Sequence, residues 1–241
     1  MQDQVVKNYE PLRIRAHLQC GIISDQFLPI DGLFYAQVVR EKFGERIVDV
    51  PGSSTVKEGA GIRLPIRKAN QEDDAWFYKC SFAQWPTHTI EDQNTYSKRF
   101  DLKRSDLIDF GKKVAKVETA RGAYKGYHIK VYYRHAQFVD WFCDGDKAEI
   151  EALLKFCTHI GKKTSQGWGS VLRWEVESWP QDWSIRCGRR LMRAVPVREK
   201  GYLYGVRPSY WLSRHQFPCL MPDWNPFDYA KAPVTDRQLY A

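Results

Sequence analysis

The stretch that decides the fold covers residues 126–177 and reads GYHIKVYYRHAQFVDWFCDGDKAEIEALLKFCTHIGKKTSQGWGSVLRWEVE. From 127 to 134 apolar and polar side chains alternate, which is the pattern of a half-buried strand. The following run, 136–146, resembles a partner strand that ends in a turn. Residues 171–177 alternate again, so the stretch begins with a strand pair and ends in a further strand.

A helix is predicted between these strands. Asp146 can serve as its N-cap, with Glu149 three positions further on as in a capping box. Gly161 occupies the place of a C-terminal helix cap. Apolar side chains recur at the spacing of one helix face: Ile150, Leu153, Leu154 and Cys157.

An earlier strand and helix complete the pattern. Residues 12–20 alternate between apolar side chains and polar ones that include Arg13, Arg15 and His17, which predicts a strand with one buried and one cationic face. Asp31 can cap a helix through 33–43 that stops at Gly44. This order of strands and helices is compatible with an α+β fold that has a ferredoxin-like (RRM-like) β-α-β-β-α-β core.

The remaining segments are placed around that core. An insertion at about 62–125 contains a short strand region at 75–82 and a helical element around 105–117. We therefore expect one domain at 1–177 and an irregular C-terminal extension at 178–241 that packs on it.

Composition narrows the class of protein. The chain has 241 residues, of which 43% are hydrophobic, enough for a folded core. It has neither an apolar run of about 18 residues nor a signal-peptide pattern at its N-terminus, so we expect no membrane contact and a cytoplasmic location. Its six cysteines contain no C-x-x-C pair, which favours buried side chains over a metal site. No metal or cofactor is expected.

Positive charge is concentrated in two stretches. The net charge is +8; residues 98–125 hold nine Lys/Arg against four Asp/Glu, and 186–214 hold eight against one. Such density attracts a polyanion through Coulomb attraction and counterion release. Arg189, Arg190 and Arg193 could bind phosphate or pair with acids of a partner subunit, and the sequence leaves both alternatives open.

Residues 161–170, GKKTSQGWGS, give the clearest indication of a binding site in the sequence. Glycines allow positive φ and close backbone approach, so that N–H groups can face an anion. Two lysines add charge, two hydroxyls add donors, and Trp168, which we expect to be exposed, offers a face for base stacking. The loop precedes a strand instead of a helix and therefore does not match a P-loop.

This loop resembles the glycine-rich loop of the RAMP superfamily of CRISPR-associated proteins, where a helix is followed by G-K-(K/R)-x-S-x-G-(Y/W/F)-G. Residues 31–36 (DGLFYA) resemble the start of the helix after the first strand in those proteins, and 121–127 (RGAYKGY) resemble a strand entry of the smaller type IV members. The resemblance covers 11–177 in order and is strongest to the subunit that caps the guide-RNA 5′ handle in type IV complexes.

The resemblance implies a guide-RNA-binding role with a backbone subunit and a large subunit as partners, and target DNA is a further candidate. The basic insertion around 98–116 would be a thumb. The candidate RNA contacts come from the loop, the cationic strand face and the basic insertion: Lys162, Lys163, Thr164, Ser165, Gln166, Gly167, Trp168, Gly169, Arg13, Arg15, Arg121 and Lys125.

Two other functions stay open. Relatives in this superfamily cut the guide precursor, and metal-free RNA cleavage needs a general base, for which His17 and His128 are the candidates beside cations on polar strand faces. A free-standing single-strand-binding module is the third possibility. We favour a non-catalytic subunit, because a catalytic base also needs a positioned partner.

Overall fold

The computed structural model describes residues 8–25, 27–43, 62–101, 103, 118–121 and 124–222. In these ranges the chain has an α+β architecture, mostly strands with two α-helices. The helices and strands, in chain order, are β1 (Tyr9–Leu18), α1 (Ile30–Phe43), β2 (Lys68–Ala69), β3 (Phe77–Tyr78), β4 (Ile90–Lys98), β5 (Tyr127–His135), β6 (Phe138–Asp146), α2 (Lys147–Leu154), β7 (Val171–Ser178), β8 (Arg186–Cys187), β9 (Arg190–Leu191), β10 (Val195–Pro196), β11 (Tyr202–Gly205) and β12 (Gln216–Leu220).

The central sheet has the order β6-β1-β7, with β1 antiparallel to both neighbours. Ile14 lies opposite Trp141 of β6 and Val176 of β7. Segment 80–84 runs antiparallel along the other edge of β6, through bridges at Cys80 and Gln84. Both helices pack on one face of this sheet, since buried side chains of α1 and α2 belong to the same core cluster as the buried face of β1.

The predicted alternation of the first strand is confirmed. Leu12, Ile14 and Ala16 are buried in the main core, which also contains Phe34 of α1 and Ile150 of α2. Burial of each large apolar side chain contributes roughly 1.5–3 kcal/mol. This cluster therefore holds both helices on the sheet.

The start of α2 was predicted correctly and its end was not. The Asp146 side chain accepts a hydrogen bond from the Glu149 N–H at 3.1 Å, as a capping residue does. The helix ends at Leu154 with Lys155 as its C-cap. Cys157 is buried beyond the helix, and Gly161 lies in the loop that follows. The predicted strand at 171–177 is confirmed as β7.

Asp31 does not play the predicted capping role. Helix α1 begins at Ile30 and ends at Phe43, so Asp31 lies in the first turn. Its side chain is fully buried and accepts hydrogen bonds from the Gly32 N–H at 2.9 Å and from the Tyr210 hydroxyl. Burial raises the pKa of the Asp31 carboxyl above its ordinary value.

The predicted partner of β5 is wrong. β5 pairs with β4, from Ile90 opposite His135 to Lys98 opposite Tyr127, and β6 lies in the central sheet instead. β6 is buried along nearly its whole length, whereas β4 and β5 are mostly exposed. A strand with apolar side chains on both faces is more stable inside a sheet than in an exposed hairpin. The helix predicted around 105–117 lies outside the described residues.

The C-terminal extension, predicted to be irregular with loops and short strands, has five short strands in its described part, 178–222. It contains a three-stranded antiparallel sheet of order β10-β12-β11. Ala194, Val206 and Cys219 pack with Phe77 and Phe82 in a second core. Strands of two to five residues carry too little periodicity to be recognised from sequence.

A buried arginine joins the extension to the rest of the chain. Arg193 is 1% exposed, and its guanidinium donates to the carbonyls of Cys80 at 3.0 Å and Val206 at 2.8 Å. Arg193 is therefore a structural residue, and its proposed role as a surface phosphate or partner contact is wrong. Arg189 is exposed and Arg190 is half-buried.

Candidate nucleic-acid interface

The glycine-rich loop, residues 161–170, packs against residues 20–24 just after β1. The Lys162 N–H donates to the Ile23 carbonyl at 2.6 Å, and the Gly169 N–H donates to the Gly21 carbonyl at 2.9 Å. The Ile160 N–H donates to Gly169 at 2.9 Å and closes the loop. The main chain is thus fixed at both ends.

Backbone conformation explains the three glycines. Gly161, Gly167 and Gly169 have φ of 85°, 87° and 70°, a region that favours glycine. A Cβ at Gly169 would lie 1.8 Å from the Ile160 carbonyl oxygen, and one at Gly161 would lie 2.4 Å from that of Ile23. Lys163 adopts φ of 56° without being glycine. The fold therefore requires glycine at 161 and 169.

Cys20 is a further anchor that the sequence did not reveal. Its Sγ donates to the Gly167 carbonyl at 3.1 Å and accepts from the Ser170 N–H at 3.3 Å. It is half-buried, whereas the other five cysteines are buried as predicted.

The two lysines of the loop have different surroundings. Lys162 Nζ lies 2.5 Å from Asp25 Oδ1, and both side chains are largely exposed. Lys163 Nζ lies 4.1 Å from the ring centroid of Tyr96 on β4, within cation–π range. One lysine is neutralised by a carboxylate and the other rests on an aromatic ring.

Trp168 is half-buried, contrary to the expectation that it is exposed. Its ring centroid lies 4.7 Å from that of Tyr133 on β5. A Cβ at Gly21 would lie 3.2 Å from the Trp168 ring and 3.1 Å from that of Tyr133, so Gly21 makes room for this packing. One side of the indole already has a partner in the chain.

The middle of the loop is a single 3₁₀ turn, Thr164–Gln166. Ser165, Gln166 and Gly167 are exposed, while Thr164 and Lys163 are half-buried. The structure therefore brings the predicted residues 162–169 together in one turn, bounded on one side by the β4–β5 hairpin.

The hairpin contributes aromatic side chains that the sequence reasoning missed. Tyr96 and Tyr133 contact the loop, and Tyr127 lies 5.6 Å from Tyr96, centroid to centroid. The alternation at 127–133 was visible, but its significance depends on the pairing with β4. A single sequence does not reveal such non-local pairing.

Arg13 and Arg15 lie elsewhere, on the central sheet. Arg13 Nη2 is 2.6 Å from Glu177 Oε2. Arg15 makes a bidentate pair with Asp140: its Nε donates to Oδ1 at 2.7 Å and its Nη2 donates to Oδ2 at 2.8 Å. Burial raises the pKa of Asp140, although hydrogen bonds from Arg15 oppose that effect. RNA phosphates would have to compete with these carboxylates.

Arg121 and Lys125 are exposed in the connection between β4 and β5. Arg121 Nε is 2.7 Å from Glu118 Oε1. Lys125 precedes the first residue of β5 by two positions, and the role of both side chains as RNA contacts stays a prediction.

The two candidate histidines lie in different sheets. His17 on β1 has Nε2 3.0 Å from Glu175 Oε1, and this imidazole holds the pKa of Glu175 below its ordinary value. His128 on β5 has Nδ1 2.6 Å from Ser97 Oγ.

Two further features concern cofactors and membranes. Among the described residues, no group of three or more His, Cys, Asp or Glu could hold a metal ion. In the same part of the chain, neither helix is long and apolar enough to cross a membrane.

The main feature of this site is a glycine-rich loop held against the segment after β1, with two lysines and aromatic rings beside it. Comparison with known families is more specific: the model of CRISPR type IV associated protein Csf3 matches residues 10–222. The chain belongs to this family and is a type IV CRISPR-associated subunit, which confirms the type IV resemblance. No curated protein matches the chain.

Proposed function

We propose that this chain is a non-catalytic subunit of a type IV CRISPR effector complex that binds the 5′ handle of the guide RNA through its glycine-rich loop and basic surfaces. The supporting observation is the loop itself. Its main chain is fixed by hydrogen bonds at Ile23 and Gly21, and it presents residues 162–167 on one turn.

The chemistry of that turn suits a single-stranded polyanion. Lysine charges attract phosphate, hydroxyl and amide groups donate hydrogen bonds, and nearby aromatic rings offer surfaces for bases. Because the anchors fix the loop before a ligand binds, little conformational entropy is lost on binding.

We further propose that the core is ferredoxin-like. In support, β1 lies between two antiparallel neighbours, each of which adjoins a helix in sequence, and segment 80–84 runs along the outer edge of β6. This arrangement corresponds to a split βαβ unit. The β4–β5 hairpin would then be the insertion that serves as a thumb.

The partners in this proposal are the guide RNA, the backbone subunit and the large subunit, with target DNA as a further candidate. The net charge of +8 supports a polyanionic partner. The family supports assembly with other components of a CRISPR complex.

A binding measurement tests the proposal. We expect the full chain to bind 5′-labelled guide RNA in a gel shift, and Lys162→Ala/Lys163→Ala to weaken that binding. Loss of two phosphate contacts should flatten the slope of log K against log salt by about 1.4, at about 0.7 per contact for single strands. Lys147→Ala/Lys155→Ala, at the first residue and the C-cap of α2, is the matched control. Unchanged affinity and slope in the loop variant would contradict the proposal.

The alternative is a metal-independent endoribonuclease, and one observation favours it. His17 Nε2 lies 3.0 Å from Glu175 Oε1 and its Nδ1 lies 3.4 Å from Arg173 Nη2, so an imidazole, a carboxylate and a cation meet on one sheet face. Such groups can supply a base and a stabilising charge for attack by a 2′-hydroxyl. Repeat RNA incubated in EDTA with the wild-type chain or with His17→Ala distinguishes a non-catalytic subunit from an endoribonuclease. A cleavage product that appears with wild type and is absent with His17→Ala would identify an enzyme.

A further inference from the structure

The C-terminal extension contains a groove of about 850 Å³ that the function proposed above does not use. It runs beside β11 and β12, and we call it the basic groove. Its cations are Arg186, Arg189 and Lys200, all exposed. Its apolar surface includes Tyr202, 75% exposed, and Leu203, 69% exposed.

Charge in the basic groove has one sign. The described residues that line it include three cations and no Asp or Glu. Unlike Arg13 and Arg15 on the central sheet, these cations are on a surface without lining carboxylates. One exposed aromatic side chain, Tyr202, lines the groove together with them, and cations beside an exposed ring are the combination that binds single-stranded nucleic acid by phosphate contact and base stacking.

The basic groove lies beside a cavity that the glycine-rich loop helps to line. A neighbouring cavity of about 550 Å³ is lined by Gly161 and Lys162 of the loop. Phe27 and Tyr204 line both the basic groove and this cavity, and their ring centroids are 6.2 Å apart. These two side chains therefore place the basic groove next to the cavity that the glycine-rich loop lines.

We propose that the basic groove binds the single strand of the same guide RNA where it continues beyond the glycine-rich loop. This inference rests on the proposed function, because the loop supplies the first contact. Arg186, Arg189 and Lys200 contact phosphates, and the Tyr202 ring stacks on a base. The groove thus lengthens the RNA-binding site without being required for the handle.

A protein segment is the competing occupant, since Leu203 and Leu220 are also exposed. The charge favours RNA: a protein would have to present several carboxylates opposite the cations, whereas every nucleotide carries a phosphate. The two lining residues shared with the cavity beside Lys162 also place the basic groove near the loop that the RNA is proposed to contact.

Two RNAs of different length test the inference with the full chain. One is the intact guide RNA and the other is its 5′ handle alone, about 8 nucleotides, within the usual range of a single binding module. Arg186→Glu/Arg189→Glu is the groove variant, and Lys162→Ala/Lys163→Ala is the loop variant. Arg40→Glu/Lys155→Glu is the control, because it changes the net charge by the same amount at two exposed positions, one in α1 and one at the end of α2.

We expect the groove variant to lose affinity for the intact guide by about tenfold or more at low salt and to bind the handle within about twofold of wild type. Tyr202→Ala, which keeps the charges, should weaken only the intact guide. The control variant should match wild type with both RNAs.

Other outcomes separate the two proposals. If the loop variant loses both RNAs and the groove variant loses neither, the inference fails and the proposed function stands. If wild type binds neither RNA, both fail. A groove variant that keeps RNA affinity but no longer assembles with other subunits would identify a protein-docking surface and overturn the inference.

Discussion

Asp25 limits the charge that the loop can offer to a ligand. Its carboxylate lies 2.5 Å from Lys162 Nζ, and both side chains are more than half exposed. Exposed ion pairs contribute only about 0.2–1 kcal/mol to stability, so little is lost when this pair opens. A phosphate that approaches Lys162 would nevertheless meet a negative charge beside it.

Asp25→Asn should therefore increase RNA affinity. We expect about threefold to tenfold tighter binding and a salt slope steeper by about 0.7, as for one added phosphate contact. Filter binding at several salt concentrations measures both quantities. Asp74→Asn, an exposed carboxylate in the turn between β2 and β3, is the control. Weaker binding of Asp25→Asn would mean that Asp25 holds Lys162 in its active position.

Two glycines of the loop should differ when replaced by alanine. Gly167→Ala introduces left-handed strain alone, about 1–2 kcal/mol, because nothing lies within 4 Å of the new Cβ. Gly169→Ala adds a clash with the Ile160 carbonyl and should destabilise by clearly more than about 2 kcal/mol. Urea denaturation compares the two variants. An equal loss of unfolding free energy in both variants would show that the loop relaxes around position 169.

The β4–β5 hairpin is an element that contributes little to the core. Most of its side chains are exposed, while Tyr96 and Tyr133 contact the loop. Near its base Arg134 Nε lies 2.9 Å from Glu91 Oε1, and the Arg134 N–H donates to the Ile22 carbonyl at 2.9 Å. The outer part should therefore be removable without loss of the fold.

Replacement of residues 93–132 by a short Gly/Ser turn should keep the thermal midpoint within about 4 °C, equivalent to about 1 kcal/mol for a chain of this size. RNA affinity should fall about tenfold, since Tyr96 and the basic connection are lost together. Thermal unfolding and filter binding on one preparation measure both. Cooperative unfolding with undiminished RNA affinity would contradict a role for the hairpin in binding.

Elements with local signals could be predicted from the sequence. The Asp146 cap, the strand alternation at 12–18 and the glycine-rich loop each depend on residues a few positions apart. The partner of β5 could not be predicted, because strand pairing depends on packing among distant segments. For the same reason the contacts of Tyr96 and Asp25 with the loop were missed.

At the scale of the whole molecule, Lys79 links the central sheet to the extension. Its Nζ lies 2.7 Å from Asp144 Oδ2 and 2.6 Å from Asp182 Oδ2. Burial raises the pKa of Asp182, but hydrogen bonds from Lys79 and Ser184 outweigh that effect and hold it below its ordinary value. The ionised carboxylate is therefore favoured in the folded chain.

A depressed pKa implies stability that is present at neutral pH and lost in acid. Asp182→Asn should destabilise by up to about 1 kcal/mol at pH 7, because the pair is partly exposed. The difference from wild type should disappear as the pH falls below the ordinary value of 3.8 and the carboxyl takes up its proton. Urea midpoints from pH 7 to pH 3 measure it. A difference that grows in acid would contradict the assignment.

The central claim is that the glycine-rich loop contacts the 5′ handle of the guide RNA. Photocrosslinking tests it most directly: 4-thiouridine is placed in the handle, the chain is assembled with the other subunits, and crosslinked peptides are identified by mass spectrometry. We predict that peptides containing residues 161–170 carry the label and that Lys162→Ala/Lys163→Ala reduces it. Label confined to other parts of the chain, or to another subunit, would contradict the account.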